Sequence, residues 1–364
     1  MYVARLGIDS IGGFRGERAL DLDLTRPDGS HAGWTVFAGP GGAGKTALLH
    51  AVAHALGCGP GDPSWLDEGE VRIVDREAEE LRWRLIRTDG VLAEHRSGAR
   101  TATASVATRL GGSGPLGGSA SQAGGPRWPT GRHGDSLLAL LGDGLLPEGH
   151  RVARLDQDGL WVARGGRTLP ADALGGGIRA VLALVLDLLR AARTADPDEE
   201  PVIDGEPPTV PAPGVALIDE AEAHLHPARQ QWLGEWLVAH FPNVQFLVST
   251  HSPYICQAAD PGGLIRLPGP TEQSPPRVLD EDLHQRIVYG SGDDTALTEL
   301  FRLPSVHSPQ AEAERQLLIA LERKLYAGKA STADIAEYRA LGARLNSSLT
   351  ARVDEARTDR GGNR

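Results

Sequence analysis

The sequence has 364 residues, a formal net charge of −11 and two cysteines, Cys58 and Cys256. Two cysteines exclude a disulfide framework, and the acidic balance argues against a protein wrapped throughout in nucleic acid. No apolar run reaches the roughly 18–20 residues that a membrane span needs, and the N-terminus lacks a signal-peptide pattern. We therefore expect a cytoplasmic protein without membrane contact, with about two domains at roughly 150 residues each.

The first part of the chain has the residue patterns of β-strands. Alternating or continuous apolar residues predict strands at positions 2–8, 20–24, 34–38, 70–74 and 81–87. Phe14 and Arg15 stand in a glycine-rich hairpin between the first two of these strands. They either touch the adenine or a phosphate of a nucleotide, or they are structural residues of the hairpin.

The most specific motif follows the strand at 34–38. It matches the phosphate-binding pattern G-x-x-x-x-G-K-[ST] in full, over Gly39, Pro40, Gly41, Gly42, Ala43, Gly44, Lys45 and Thr46. In this pattern the glycine backbone surrounds phosphates, the lysine reaches the β- and γ-phosphates, and the threonine hydroxyl binds Mg²⁺. Lys45 is the only lysine before residue 324, in a chain with 3 lysines and 34 arginines. With a buried strand before it and an apolar helix after it, the motif predicts binding of a nucleoside triphosphate.

Two stretches lack the periodicity of strands or helices. Residues 97–135 are rich in Gly, Ser, Thr and Ala, and residues 194–213 combine acidic residues and prolines with no base. Such composition is typical of solvated, irregular segments. We expect both to be flexible insertions.

A second motif is an apolar run, residues 215–218, that ends in Asp219 and Glu220. The pattern predicts a buried parallel strand whose C-terminal end emerges at a ligand crevice. There Asp219 is predicted to hold Mg²⁺ through water and Glu220 to polarise the water that attacks the γ-phosphate. The alternative is a surface strand end with two solvated carboxylates.

A βαβ unit continues from this motif. The helix is predicted from Pro227 to about His240, and its apolar face carries Trp232, Leu233, Trp236 and Leu237. Residues 244–250 then predict a buried strand that ends at His251. A right-handed crossover places both strand ends at the edge of the phosphate loop. We therefore predict that His251 hydrogen-bonds the γ-phosphate and orients the attacking water.

The histidines near this unit also allow a different interpretation. His224 and His226, together with His251 or Glu222, have donor atoms suited to Zn²⁺. No cysteine or further histidine with ligand spacing lies nearby, so this interpretation has less support than the nucleotide site.

Together these motifs resemble ABC-type P-loop ATPases of the RecF/SMC/OLD-like branch, close to the compact prokaryotic AAA family ATPases of defence operons. The resemblance covers residues 1–290 and rests on the phosphate loop and on residues 217–220, 223–227 and 248–253. It implies an α/β fold of ABC-ATPase type with N-terminal antiparallel strands, a helical signature lobe and a C-terminal helical hairpin. It also implies ATP and Mg²⁺ as cofactors, and catalytic roles for Asp219, Glu220 and His251.

The resemblance assigns two further elements. Residues 223–226 correspond to the D-loop, which crosses a dimer interface, and His226 joins the nucleotide-binding set. The signature motif, Leu-Ser-x-Gly-x-Arg in most relatives, corresponds to Leu174, Gly175, Gly176, Gly177, Ile178 and Arg179. Its glycines and Arg179 are then expected to close over the γ-phosphate bound by a second subunit, although Gly175 supplies no hydroxyl. The alternative is a plain glycine turn before a core helix.

Two positions depart from the pattern of relatives. Gly41 stands where many relatives have an asparagine in the phosphate loop. Gln122, within the irregular stretch, is the nearest candidate for the glutamine of the Q-loop.

The remaining residues, 291–364, predict a helical tail. One helix is expected from Ser308-Pro309 to about Ala327 and a second from Ser331. This hairpin either packs on the ATPase core or serves as a docking surface.

The resemblance implies an ATP hydrolase whose ATP-dependent homodimerisation gates a separate effector subunit, such as a nuclease in antiphage defence or DNA repair. Nucleic acid would then be reached through the assembly, because the tail lacks the acidic clusters of a nuclease domain. The alternative is a scaffold that binds ATP and hydrolyses it weakly or not at all, because Gly175 weakens the closing element.

Overall fold

A computed structural model describes residues 2–26, 28–30, 32–59, 62–88, 91–98, 104–109, 132–156, 159–192, 203 and 205–345. The chain divides into two compact units, the first ending at Arg302 and the second beginning at Leu303. None of the helices in the described ranges combines the length and the apolar character that crossing a bilayer requires.

Strands and helices are interspersed along the described parts of the chain. The strands are β1 (Val3–Asp9), β2 (Leu20–Asp23), β3 (Trp34–Ala38), β4 (Gly69–Asp75), β5 (Glu80–Thr88), β6 (Val91–Gly98), β7 (Ala104–Arg109), β8 (His150–Asp156), β9 (Gly159–Arg164), β10 (Arg167–Pro170), β11 (Gly214–Asp219), β12 (Val244–Thr250), β13 (Leu264–Arg266) and β14 (Arg277–Val278). The helices are α1 (Lys45–Leu56), α2 (Arg132–Gly142), α3 (Gly176–Ala192), α4 (Pro227–His240), α5 (Pro253–Cys256), α6 (Glu281–Val288), α7 (Gly292–Leu297), α8 (Pro309–Tyr326) and α9 (Thr332–Leu345).

A six-stranded sheet with the order β14-β13-β3-β12-β11-β7 forms the centre of the first unit. Its strands pair in parallel except for β14, which is antiparallel to β13. Side chains of adjacent residues point to opposite faces, so Leu217 and Leu247 enter one apolar core while Ile218 and Val248 enter the other. Both faces are therefore buried, which explains the continuous apolar runs in the sequence.

Each face of the central sheet has its own cover. Leu184 of α3 and Leu233 of α4 belong to the core on one face. On the other face, Leu48 of α1 packs in one core with Ile8 and Trp83 of the antiparallel sheet β2-β1-β4-β5-β6. This arrangement confirms the predicted α/β fold of ABC-ATPase type and places α1 between two sheets.

The structure differs from the expected flexible insertion at 97–135. Residues 104–109 form β7, which pairs in parallel with β11 from Ala104 opposite Gly214 to Arg109 opposite Asp219. The start of α2 also lies in this stretch. The strand is defined by backbone pairing at the sheet edge, which needs no apolar run in the sequence. Gln122 lies outside the described residues.

Strands β8, β9 and β10 form a small antiparallel sheet that no sequence pattern predicted. Leu160 and Val162 of β9 join the same core as α3 and α4. The first unit ends at Arg302 and therefore includes α7 as well as α6.

The described residues of the second unit contain the predicted helical hairpin. The Ser308 hydroxyl caps α8 by accepting from the Ala311 N–H at 3.2 Å, and Gly328, at φ 69°, follows the helix end. Lys324 Nζ lies 2.8 Å from Asp334 Oδ1, which links α8 to α9. Leu321 and Leu341 are the buried residues of the two helices.

Candidate nucleotide site

The phosphate loop connects β3 to α1. Gly44 is the N-cap of α1 and has a left-handed backbone, with φ 95° and ψ 12°. A Cβ at this position would lie 3.0 Å from Cε2 of Phe14, so both the backbone conformation and the close approach require glycine. Helix α1 begins at Lys45, so the loop leads directly into a helix N-terminus, where exposed N–H groups and the helix dipole favour an anion.

Lys45 is held by the loop to which it belongs. Its Nζ donates to the Gly39 carbonyl at 2.8 Å and to the Pro40 carbonyl at 3.0 Å. Burial lowers the pKa of Lys45 to about 8, although the charges of Glu222 and Asp219 act in the opposite direction. An anion in the loop would favour the charged lysine, because an opposite charge at short range stabilises it. The environment of Lys45 therefore fits a phosphate ligand.

Thr46 and Asp219 come together from elements 173 positions apart in the chain. The Thr46 hydroxyl donates to Asp219 Oδ1 at 3.2 Å, and the Ser249 hydroxyl donates to the same oxygen at 2.5 Å. The Asp219 carboxylate is 2% exposed and stands at the end of the buried strand β11. A hydroxyl and a carboxylate are the hard oxygen donors that Mg²⁺ prefers, so these residues fit the ion.

Glu220 occupies the first position after β11. Its backbone has φ 53°, an uncommon conformation for a residue with a side chain. The Glu220 N–H donates to Ser249 Oγ at 2.9 Å, and the next N–H, of Ala221, donates to the Ser249 carbonyl at 3.1 Å. Ser249 therefore holds both the carboxylate of Asp219 and the main chain of Glu220.

The turn after β12 is tied to the turn after β11 by Glu222. Its Oε1 accepts from the His251 N–H at 2.7 Å, and its Oε2 accepts from the Thr250 hydroxyl at 2.6 Å. Desolvation and the nearby Lys45 ammonium lower the pKa of His251, with Glu222 acting in the opposite direction. A lowered pKa favours the neutral imidazole, which donates from one ring nitrogen and accepts at the other.

The signature glycines lie against the D-loop. The Gly175 carbonyl accepts from the N–H groups of Ile178 and Arg179 at 3.1 and 3.2 Å, and Gly176 begins α3. A Cβ on Gly177 would lie 2.4 Å from the His224 carbonyl oxygen. His224 itself has φ 62°. The close approach of two backbones thus explains the glycine at position 177.

An open cavity of about 350 Å³ lies at this contact. Its lining includes Gly175, Gly176, Gly177, His224, His226 and Trp232. His226 is also the N-cap of α4, where its Nδ1 accepts from the Ala228 N–H at 3.3 Å. Arg179 is exposed in the first turn of α3.

The predicted site residues therefore fall into two groups within one chain. Residues 219–220 and 249–251 lie together beside the phosphate loop, residues 39–46, whereas residues 175–177 contact residues 224–226. Sequence reasoning missed Ser249, and it considered Glu222 only as a metal ligand. The available signal was a pair of hydroxyl residues, Ser249 and Thr250, directly after the apolar run 246–248 of the strand.

The structure also bears on two alternatives from the sequence, the role of Phe14 and Arg15 and the zinc site. Phe14 is fully buried in the core beneath Gly44, which favours its structural role over contact with a nucleotide. Arg15 forms an ion pair with Asp67 at 3.1 Å. Within the described ranges, no three His, Cys, Asp or Glu residues are grouped so as to hold a metal ion.

Comparison with known proteins supports the P-loop assignment. Residues 141–257 match the family described as "AAA domain, putative AbiEii toxin, Type IV TA system". The chain is 38% identical over 87 residues to the retron Ec83 probable ATPase of Escherichia coli. It is 33% identical over 105 residues to the retron Vc95 probable ATPase of Vibrio cholerae serotype O1 biovar El Tor.

The two retron matches cover only part of each chain. They cover 24% and 29% of this chain, and 15% and 19% of the two retron proteins. The SMC head domain from Thermotoga maritima aligns with 77% of this chain and 100% of its own, at a TM-score of 0.47 and 17% identity. The family match to an AAA domain and the curated relatives that are probable ATPases confirm the predicted resemblance to P-loop ATPases. The family match spans the signature turn, Asp219 and His251, while the phosphate loop lies before it.

Proposed function

We propose that this protein binds Mg-ATP at the phosphate loop and hydrolyses the terminal phosphoanhydride bond. The observation that carries the proposal is the contact of Thr46 with Asp219 beside the buried Lys45. A structural turn has no need of a buried lysine and a buried carboxylate next to a helix N-terminus, because burial of charged groups is costly.

Each residue of this group has a role in the proposed reaction. Lys45 and the loop N–H groups bind the phosphates, while Thr46 and Asp219 hold Mg²⁺. When bound, Mg²⁺ supplies positive charge that offsets the charge developing on the phosphate oxygens. Glu220 orients the attacking water and accepts its proton, and His251 hydrogen-bonds the γ-phosphate.

The second group of residues completes the site in our proposal through dimerisation. Gly175, Gly176 and Arg179 are exposed, and a Cβ on either glycine would meet nothing within 4 Å, so this turn is open to a partner. In an ATP-dependent homodimer, these residues, Gly177 and His226 of one copy close over the γ-phosphate bound by the other. Backbone N–H groups at the start of a 17-residue helix supply the donors in place of a serine hydroxyl.

Hydrolysis then opens the dimer and gates a separate effector subunit, which we propose is a nuclease in antiphage defence. The relatives that are probable ATPases of retrons support this direction. Nucleic acid is contacted through the assembly rather than by this chain alone, in keeping with its net charge of −11.

A second function is favoured by one observation, the absence of a hydroxyl at Gly175. In this alternative the protein is a scaffold that ATP holds together, with weak or no hydrolysis.

The test combines phosphate release with solution mass by light scattering. The wild type should release phosphate from Mg-ATP, and Glu220→Gln should not. Glu220→Gln should also convert from monomer to dimer on addition of Mg-ATP. Glu235→Gln, at an exposed position of α4, is the matched control and should behave as wild type. A mass above monomer without ATP, together with no phosphate release by the wild type, would favour the scaffold.

A further inference from the structure

Both carboxylate oxygens of Glu222 are used to hold the turn after β12. One accepts from the Thr250 hydroxyl at 2.6 Å and the other from the His251 N–H at 2.7 Å. Thr250 is fully buried, and its Oγ1 also accepts from the Ser252 N–H at 2.9 Å. Glu222 thereby holds the His251 N–H directly and the Ser252 N–H through the Thr250 hydroxyl.

Gln230, in the first part of α4, makes a second connection between the same segments. Its Nε2 donates to the Leu225 carbonyl at 2.8 Å, and its Oε1 accepts from the Ser252 hydroxyl at 2.5 Å. Ser252 also caps α5 by accepting from the Tyr254 N–H at 3.1 Å. Two side chains, those of Glu222 and Gln230, therefore connect the D-loop region to the turn that carries His251, and each makes two hydrogen bonds.

We infer that Glu222 is a positioning residue that sets the place of His251 relative to Asp219 and Glu220, with Gln230 as its support. The inference rests on the proposed function, because His251 acts there on the γ-phosphate. A group that orients a reacting water must be held within a fraction of an ångström, and a displacement of about 1 Å costs about 10²-fold in rate. The ionised carboxylate suits this task because charge-assisted hydrogen bonds are short and strong.

The inference separates binding from turnover. The phosphate loop is held by hydrogen bonds of Lys45 to the loop carbonyls and of Thr46 to Asp219, while Glu222 acts on Lys45 through its negative charge. Glu222→Ala should therefore lower kcat about tenfold or more while the Kd for a non-hydrolysable Mg-ATP analogue changes by less than about threefold. Glu222→Gln should recover part of kcat, because its carbonyl can still accept from the His251 N–H, whereas its amide nitrogen cannot accept from the Thr250 hydroxyl.

A double-mutant cycle with His251→Ala distinguishes positioning from a general structural role. If Glu222 acts through His251, then adding Glu222→Ala to His251→Ala causes no further loss of kcat. Thr250→Val preserves the shape of the strand end and keeps the bond from the His251 N–H to Glu222, but it removes the hydroxyl that donates to Glu222 and accepts from the Ser252 N–H. It should lower kcat by less than Glu222→Ala, and it provides the test if Glu222→Ala does not fold.

Three results would overturn the inference. Equal kcat values for wild type and Glu222→Ala would do so, as would an equal loss from Glu222→Ala in the wild-type and His251→Ala backgrounds. If Glu222→Ala does not fold, a kcat of Thr250→Val equal to that of the wild type would overturn the inference. Absence of phosphate release by the wild type would instead overturn the proposed function, and this inference with it.

Discussion

Replacing Gly177 with alanine tests the contact between the signature turn and the D-loop. The added Cβ would lie 2.4 Å from the His224 carbonyl oxygen and 3.3 Å from the carbonyl carbon. The obstacle is a backbone group, so no side-chain rotation relieves the contact. His224 is moreover held at φ 62°, where few alternative conformations are open to it.

The size of the effect follows from the overlap. Ordinary van der Waals contact begins at 3.4 Å, so either α3 or the D-loop must move by about 1 Å. Overpacking of this kind costs about 1–3 kcal/mol of the free energy of unfolding. Gly176 is the matched control, because a Cβ there would meet nothing within 4 Å. Alanine at 176 should leave stability unchanged or raise it by up to about 1 kcal/mol, since alanine favours the helix over glycine.

Urea unfolding of the nucleotide-free protein, followed by tryptophan fluorescence, measures both variants against the wild type. We expect Gly177→Ala to unfold at a lower urea concentration than the wild type and Gly176→Ala at the same or a higher one. Equal stability of the two variants, within about 0.5 kcal/mol, would refute the described backbone approach.

Three further predictions concern buried groups. Ser249→Ala removes the hydroxyl that orients Asp219, so we expect a loss of about 10–100-fold in Mg²⁺ affinity or ATP turnover. Phosphate release measured over a Mg²⁺ titration tests this, and a titration curve equal to that of the wild type would contradict it. Phe14→Ala empties a fully buried site and should cost about 3–5 kcal/mol in urea unfolding, whereas a nucleotide contact alone would leave stability intact. Burial lowers the pKa of His240 from 6.5 in the folded protein. Below pH 6.5 the unfolded chain therefore binds a proton at His240 more readily than the folded chain does, and the free energy of unfolding decreases as the pH drops. His240→Phe keeps an aromatic ring against Trp236 and should reduce the difference between urea midpoints at about pH 5 and about pH 7; an unchanged difference would assign the effect to other groups.

The local patterns of the chain predicted much of the fold. The strand at 34–38, the helix from Pro227 to His240 and the strand at 244–250 coincide with β3, α4 and β12. These elements lie in the buried centre, where continuous apolar runs and a proline at the helix start carry a strong signal. The phosphate loop was readable for the same reason, because its chemistry requires a contiguous run of residues.

Elements whose structure depends on a distant partner were not readable. Strand β7 is formed by backbone hydrogen bonds to β11, which lies more than a hundred residues later in the chain. The sheet β8-β9-β10 packs residues of β8 and β9 against the core of α3 and α4, and the burial of β8 alternates only weakly. Register and edge position are properties of the assembled sheet, so single-sequence patterns do not specify them.

The sequence by itself predicted the kind of site, because residue types at fixed short spacings are typical of a phosphate loop and of a strand that ends in two carboxylates. Only the tertiary structure decided which groups meet. It joins Thr46 to Asp219 across 173 positions, and Glu222 to the main chain of His251 across 29. It also brings the backbone of Gly177 against that of His224. These contacts depend on strand order and crossover geometry, which bring together segments that are far apart in the sequence. No local sequence pattern in either segment identifies the other as its partner.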